Sequence, residues 1–393
     1  KWTRIALVKR ILVGLILGAI LGIAVPQATG IAILGDVFVS ALKAIAPLLV
    51  FFLVVSSLCN AGKSHGGVIK TVIVLYMFST VLAAVIAVFA SMAFPVKMTL
   101  ANAATDTSAP QGIVEVLNNL LLNVVANPVS SLVNANYVGI LMWAVLLGLA
   151  FRAADKMTKK VLADVADGIS MVVTWIINLA PFGIFGLVFN TVSTNGLDIF
   201  TTYGKLLLLL VGCMLFIYFV TNPLLVYWCI RQNPYPLIFQ CLKRSALTAF
   251  FTRSSAANIP VNMKVCEEMG LDRDTYSVTI PLGATINMDG AAITITVMTM
   301  ATAFTLGIHV DIPTAIILSL LAALSACGAS GVAGGSLLLI PMACSLFGIS
   351  DDISMQVVAV GFIIGVVQDS VETALNSSSD LLLSASAEFR QWR

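Results

Sequence analysis

The chain has 393 residues, of which 59% are apolar and only 10% are charged. A soluble domain carries about 25% charged residues, so the composition excludes a water-soluble globular fold and a disordered chain, and it leaves a lipid bilayer as the solvent. The net charge of +2 is too small to indicate nucleic-acid binding. Two histidines, and seven cysteines without a CxxC spacing, leave almost nothing for zinc chemistry or histidine-based catalysis.

Six apolar runs in the first 230 residues predict membrane helices, since a helix needs about 20 apolar residues to cross the hydrocarbon core. They lie near residues 11–25, 33–58, 68–94, 137–151, 169–192 and 206–230. No small-residue cleavage site follows the first run, so we interpret it as a membrane helix rather than a signal peptide. Residues 95–136 are rich in polar side chains and are typical of a loop with one or two short helices.

Lysines and arginines are concentrated before the first run and in every second loop after it, whereas the remaining loops contain only Lys97 and Lys205 near their spans. Because basic residues are enriched in cytoplasmic loops, this distribution predicts a cytoplasmic N-terminus.

After Arg231 the apolar segments are interrupted by small and polar clusters, at residues 252–258, 287–290, 327–335 and 376–380. Irregular backbone cannot face lipid, so such breaks must be surrounded by protein or line a water-filled cavity. Their order predicts an internal repeat, in which a re-entrant hairpin is followed by a spanning helix. Paired interrupted segments indicate the binding site of a secondary transporter.

Four acidic residues are predicted at membrane depth, where each charge costs roughly 2.5–3.5 kcal/mol on insertion scales. One lies within the second interruption, and the last helix carries the others on one face together with two neutral polar residues. The residues concerned are Asp289, Asp369, Glu372, Thr373, Asn376 and Asp380.

The residue types predict a coupling cation and a zwitterionic cargo. Asp289 beside Asn287, and Asp380 one turn from Asn376, supply the oxygen ligands that hard cations such as sodium prefer. Backbone amides at the glycine-rich turns and at the N-termini of half-helices favour carboxylates. An ion-coupled carrier of an amino acid needs both.

Four segments make the chain resemble the dicarboxylate/amino acid:cation symporter family, the glutamate-transporter-like carriers, and within it the bacterial branch that carries serine and threonine with sodium. They are Thr-Arg-Ser-Ser at 252–255, Pro-Leu-Gly-Ala-Thr-Ile-Asn-Met-Asp-Gly at 281–290, the glycine-rich turn at 331–335, and residues 369–380. The resemblance implies an all-α polytopic membrane protein with eight transmembrane helices and two re-entrant helical hairpins, arranged as inverted repeats.

The same resemblance implies the domain organisation. Residues 1–230 would form six helices that serve mostly as a trimerisation scaffold, with the third and sixth contributing to the transport domain, and residues 231–393 would form the core of that domain. The protein is then expected to be a homotrimer in the bacterial plasma membrane, with both termini cytoplasmic, and to work as a non-enzymatic symporter by an elevator-type mechanism without an organic cofactor.

The resemblance also implies the site residues. Asp369 would hold the α-ammonium group of L-serine or L-threonine and Asn376 its α-carboxylate. The remaining substrate-binding residues would be Ser254, Ser255, Val332, Gly334, Glu372 and Thr373. One sodium ion would use Gly283, Asn287, Asn376 and Asp380. A second would use Tyr76, Ser79, Thr80, Asn287 and Asp289, and a partial third site would involve Thr285, Ala326, Cys327 and Ala329.

Two departures bear on specificity. Carriers of acidic substrates place an arginine where this chain has Glu372, and a threonine where it has Ala291. A glutamate would repel acidic side chains and would accept a hydrogen bond from a substrate hydroxyl, which predicts serine and threonine as cargo. Arg253 could pair with Asp369 or with Glu372.

There are three alternatives to this interpretation. The first is a sodium- or proton-coupled carrier of acidic amino acids or dicarboxylates from the same family. The second is an intramembrane aspartyl hydrolase, but the Gly-x-Gly-Asp pattern of such an enzyme is absent from the sequence. The third is a channel, which would not need two hairpin turns with opposite chemical preferences.

Overall fold

The computed structural model describes residues 7–60, 67–100, 121–122, 125–197, 199–327, 329 and 334–390. Every regular element in these ranges is helical, so the predicted all-α class is confirmed. Six of the described helical segments are long and apolar enough to cross a membrane. The count of eight crossings and the re-entrant course of the two hairpins stay predictions.

The first 230 residues form helices near each of the six predicted runs. The described helices of this half are α1 (Leu7–Ala24), α2 (Ile33–Asn60), α3 (Gly67–Ala93), α4 (Pro128–Val133), α5 (Tyr137–Ala150), α6 (Lys156–Asn178), α7 (Ala180–Asn195), α8 (Ile199–Phe216) and α9 (Asn222–Ile230). A π-helical turn, Ile217–Thr221, joins α8 to α9. The short helix α4 lies in the predicted polar loop, of which residues 101–120 and 123–124 are outside the described ranges.

The predicted span at 169–192 is wrong as a single helix. The chain leaves α6 at Leu179 and restarts as α7, with Pro181 in its first turn. Proline has no backbone N–H and disfavours helical conformation in the residue before it, so it begins helices more readily than it continues them. The segment contributes two helices, and both α6 and α7 pack against α2, while α7 also packs along α1.

The C-terminal half contains three of the four predicted interruptions. Its helices are α10 (Tyr235–Cys241), α11 (Leu247–Thr252), α12 (Ser255–Glu268), α13 (Arg273–Ile286), α14 (Asp289–Thr305), α15 (Ile312–Ala326), α16 (Ile340–Ser345) and α17 (Asp351–Phe389), with a 3-10 helix at Gly335–Leu339. Breaks fall between α11 and α12, between α13 and α14, and between α15 and the 3-10 helix, where the sequence predicts three of them.

The fourth predicted interruption, at 376–380, is wrong, because α17 continues through it without a break. The Oγ atom of Ser378 donates to the carbonyl oxygen of Ala374 at 2.5 Å, a hydrogen bond within the helix. Neighbouring helices bind the other two serines: Asn258 and Asn262 donate to Ser377, and Asn222 donates to Ser379. The serines therefore form helix contacts rather than a loop.

Helix α14 lies at the centre of this half, and its residues from Asp289 to Ala303 are buried. It contacts α3, α8, α15 and α17. Helix α3 also contacts α13, α15 and α17, so the third predicted span packs on the C-terminal half. These contacts agree with the predicted division into domains, which stays a prediction.

Candidate functional site

The polar face of α17 is buried inside the protein. Its predicted site residues Asp369, Glu372, Thr373, Asn376 and Asp380 are only 1–6% exposed. Residues of the three interruptions contact Asp369, Asn376 and Asp380, so the broken segments converge on this one helix.

Asp369 is bound from two sides. Its Oδ2 atom lies 2.7 Å from Nε of Arg253, which is itself 8% exposed. Its Oδ1 atom accepts a hydrogen bond of 3.1 Å from the backbone N–H of Gly334. Arg253 therefore pairs with Asp369 and not with Glu372, and it does so from a left-handed backbone conformation (φ 53°) that ends α11. Thr373 donates its hydroxyl to the Asp369 carbonyl within the helix, at 2.7 Å.

Glu372 is held by three side chains that the sequence did not indicate. Its Oε2 atom accepts hydrogen bonds from Thr294 Oγ1 at 2.7 Å, Ser336 Oγ at 2.9 Å and Gln368 Nε2 at 2.5 Å. The only sequence signal for them is a polar residue close to a recognised motif. Gln368 stands one turn before Glu372, and Thr294 follows the Asn-Met-Asp-Gly segment.

Asn376 contacts the start of α14. Its Oδ1 atom accepts a hydrogen bond of 2.7 Å from the N–H of Gly290. This close approach needs a glycine, because a Cβ atom at that position would lie 2.9 Å from Cα of Glu372. The first turn of α14 is thereby pressed against the polar face of α17.

Asp380 and Asn287 face each other next to the break between α13 and α14. Asn287 Nδ2 donates to Asp380 Oδ1 at 2.9 Å, and Asn287 Oδ1 is buried without a hydrogen-bond partner in the described part of the chain. Gly283 lies against the same carboxylate, since a Cβ there would be 2.7 Å from Asp380 Oδ1. The Asp380 carboxylate, the unpartnered amide oxygen of Asn287 and the carbonyl oxygen of Asn376, which lies 3.4 Å from Asn287 Nδ2, form a set of oxygen ligands that fits a monovalent hard cation such as sodium.

Asp289 is the centre of a second group. Ser79 donates to its Oδ2 atom at 2.8 Å, and Thr80 donates to its Oδ1 atom at 3.2 Å. Both partners come from α3, so the structure brings these predicted ligands together. Tyr76, one turn earlier, is placed differently: its hydroxyl lies 2.9 Å from the carbonyl oxygen of Asp380. The hydroxyl of Tyr76 also lies 2.7 Å from Ser384 Oγ, so this side chain contacts α17.

The remaining predicted residues have more local contacts. Ser254 caps α12 by accepting from the N–H of Ala257 at 3.2 Å, and Ser255 is buried. Thr285 donates within its own helix. Cys327 lies 3.6 Å from the carbonyl oxygen of Ile286, which brings the ends of α13 and α15 together. Ala326 and Ala329 are buried, and Val332 lies outside the described residues.

Comparisons with known proteins agree with this architecture. The model of the sodium:dicarboxylate symporter family matches residues 7–388. A protein of Bifidobacterium adolescentis named serine/threonine transporter SstT is 59% identical over 388 residues, which cover 98% of this chain and 90% of the relative. Proteins of the same name from Streptococcus thermophilus and Streptococcus agalactiae are 56% identical over 393 residues and 57% identical over 388, covering 98% and 96% of those chains.

Interrupted helices that converge on buried carboxylates, inside a polytopic helical protein, define a secondary membrane transporter. The chain belongs to the sodium:dicarboxylate symporter family, as the match over nearly its whole length shows. The resemblance inferred from the motifs is confirmed, and family membership identifies a transporter rather than an enzyme.

Proposed function

We propose that this protein is a sodium-coupled symporter that imports L-serine and L-threonine across the bacterial plasma membrane. The observation that carries the proposal is Glu372, a buried carboxylate on the same helical face as Asp369 and Asn376. An anion at this position opposes an acidic side chain and accepts a hydrogen bond from a hydroxyl. The names of the relatives support the same cargo.

In this proposal the substrate backbone is bound by both turns and by α17. Asp369 receives the α-ammonium group, and Asn376 with backbone N–H groups near 254–255 and 332–334 receives the α-carboxylate. Thr373 lies on the same face. Because Arg253 and Gly334 already contact Asp369, the ammonium group competes with them for that carboxylate.

Two sodium ions would neutralise the buried carboxylates of Asp380 and Asp289. One would bind at Asp380 with oxygens of Asn287, Asn376 and Gly283, and the other at Asp289 with Ser79 and Thr80, while Tyr76 borders the first. A partial third site at the ends of α13 and α15 would involve Thr285, Ala326, Cys327 and Ala329. Because a buried carboxylate without a counter-charge is unfavourable, sodium binding stabilises the form that also binds substrate.

The finer architecture is part of the proposal. Eight crossings, two re-entrant hairpins and inverted repeats would place residues 231–393, with the third and sixth spans, in a transport domain that moves against the scaffold of residues 1–230. The packing of α3 against α13, α14, α15 and α17 supports that grouping. The protomer would assemble as a homotrimer with both termini in the cytoplasm.

Uptake into proteoliposomes tests the function. We expect saturable uptake of labelled serine that depends on an inward sodium gradient, with competition by threonine and little by aspartate or glutamate. Uptake indifferent to the gradient would contradict symport and would fit a channel. Strong competition by aspartate with little by threonine would assign the protein to the acidic-substrate carriers of the family.

A further inference from the structure

Glu372 lies in a closed polar network whose members come from three different elements. Thr294 belongs to α14, Ser336 to the 3-10 helix after the third interruption, and Gln368 to α17, and none of the three is more than 1% exposed. Besides its bond to Glu372, Gln368 Nε2 donates to Thr294 Oγ1 at 2.7 Å. The network is therefore directional: the threonine oxygen accepts from the glutamine, and its proton goes to Oε2 of Glu372 at 2.7 Å.

Packing alone does not explain the glutamine. Its amide hydrogens go to Glu372 and Thr294, and its Oε1 atom is buried without a hydrogen-bond partner among the described residues. A buried acceptor without a donor lowers stability, and an apolar side chain of the same length would avoid that penalty. The buried glutamine is explained if the network serves to fix the orientation of the Glu372 carboxylate.

We propose that Gln368, Thr294 and Ser336 are positioning residues for substrate specificity, which fix Glu372 so that Oε1 is presented to the side-chain hydroxyl of the substrate. This inference rests on the proposed function. Three donors occupy Oε2, so the other oxygen is left for recognition. A hydroxyl is distinguished from a methyl group only if its acceptor is held in place, because a mobile carboxylate would turn toward whichever donor is available.

Ser336 connects this recognition to the third interruption. The same short segment supplies the Gly334 N–H that binds Asp369 and the Ser336 hydroxyl that binds Glu372. The group expected at the substrate ammonium and the group expected at its hydroxyl are thus both tied to one turn of chain. A substrate that binds both carboxylates therefore interacts, through them, with a single segment of the chain.

The test is the selectivity ratio for serine over alanine, measured by sodium-driven uptake in proteoliposomes with each amino acid as competitor. We expect Thr294→Val and Gln368→Met to lower this ratio by about tenfold while alanine uptake continues. Thr294→Ser, which keeps the hydroxyl, should restore the unmodified ratio. Thr296→Val is the matched control, because Thr296 is equally buried on α14 and its hydroxyl has no partner in the described structure.

A double-mutant cycle separates positioning from general damage. Once Glu372 is replaced in Glu372→Ala, adding Thr294→Val should not change the ratio further. Additive effects would mean that Thr294 does not act through Glu372 and would overturn the inference. The inference would also be overturned if Thr294→Val and Ser336→Ala both kept the serine-over-alanine ratio of the unmodified protein.

The two levels of the proposal fail differently. If the unmodified protein shows no sodium-driven serine uptake, the proposed function fails and this inference fails with it. If that uptake is normal and the network variants keep the ratio, only the inference fails. Should Gln368→Met not insert, the Thr294→Val and Thr294→Ser pair gives the answer alone.

Discussion

Nε of Arg253 lies 2.7 Å from Oδ2 of Asp369, and the two residues come from elements 116 positions apart in the chain. Both side chains are buried. The pair joins the turn between α11 and α12 to the middle of α17, where the amino group of the proposed substrate would bind.

Removing the arginine should destabilise the protein strongly. Arg253→Ala leaves the Asp369 carboxylate buried and unpaired, and breaking a buried pair in this way typically costs about 3–5 kcal/mol. The Arg244–Glu268 pair is the matched control, because its side chains are 38% and 39% exposed and exposed pairs contribute about 0–1 kcal/mol.

Thermal unfolding in detergent checks this prediction. We expect a much lower midpoint for Arg253→Ala than for Arg244→Ala, and partial recovery when Asp369→Asn is added to Arg253→Ala. Equal midpoints for the two single variants would show that the buried pair does not hold the turn to α17.

Substitution at Glu372 should change the cargo. Glu372→Arg removes the acceptor for the substrate hydroxyl and supplies a bidentate donor for a carboxylate, so serine preference should disappear and aspartate should become a competitor. Ala291 provides no hydroxyl nearby, which limits the gain. Competition of labelled serine and labelled aspartate uptake measures both effects, and a variant that still prefers serine would contradict the role of Glu372.

Sodium dependence should change when the ligands of the proposed ion sites are altered. Asp289→Asn, Asp380→Asn and Ser79→Ala should each raise the sodium concentration needed for half-maximal serine uptake, by about tenfold or more for the aspartates. Ser91→Ala is the control for Ser79→Ala, because Ser91 is also buried on α3 and its hydroxyl has no partner in the described residues. An unchanged sodium requirement in Asp289→Asn and Asp380→Asn would remove both from the ion sites.

A methyl group at Gly283 should disturb the Asp380 site. The Cβ of Gly283→Ala would lie 2.7 Å from Asp380 Oδ1 and 2.9 Å from the Tyr76 hydroxyl, so one of them must move. We expect reduced sodium affinity with retained membrane insertion. Gly212→Ala is the comparison, since no atom lies within 4 Å of its added carbon, and equal sodium affinities for both variants would show that the site tolerates the shift.

Local spacing alone predicts only part of the site. The resemblance, and not the spacing, assigns Ser79 and Thr80 to one ion site with Asp289, and both side chains donate to that carboxylate. The same resemblance assigns Tyr76 to that site, but its hydroxyl lies beside the Asp380 carbonyl oxygen, because the length of a side chain decides which group it reaches. Thr294 and Ser336 were missed since they lie 78 and 36 positions from Glu372 in the chain, and only the folded helices bring them together.

The two wrong predictions, a single helix at 169–192 and an interruption at 376–380, also have physical causes. Residues 169–192 are mostly apolar, and hydropathy does not register the effect of Pro181 on the backbone. Residues 376–380 are polar enough to be interpreted as an interruption, yet their hydroxyls and amides bind within α17 and to α9 and α12. Polar residues indicate a loop only where their hydrogen-bond partners are water molecules.

The unbroken course of α17 fixes the distance between two of the proposed binding residues. Asp369 and Asp380 are eleven residues apart on one continuous helix, which at 1.5 Å per residue sets their axial separation at about 16 Å. No hinge lies between the carboxylate proposed for the amino acid and the one proposed for the ion. The amino acid and the sodium ion of the proposed sites would therefore keep a fixed spacing along α17 and would move with that helix as one unit.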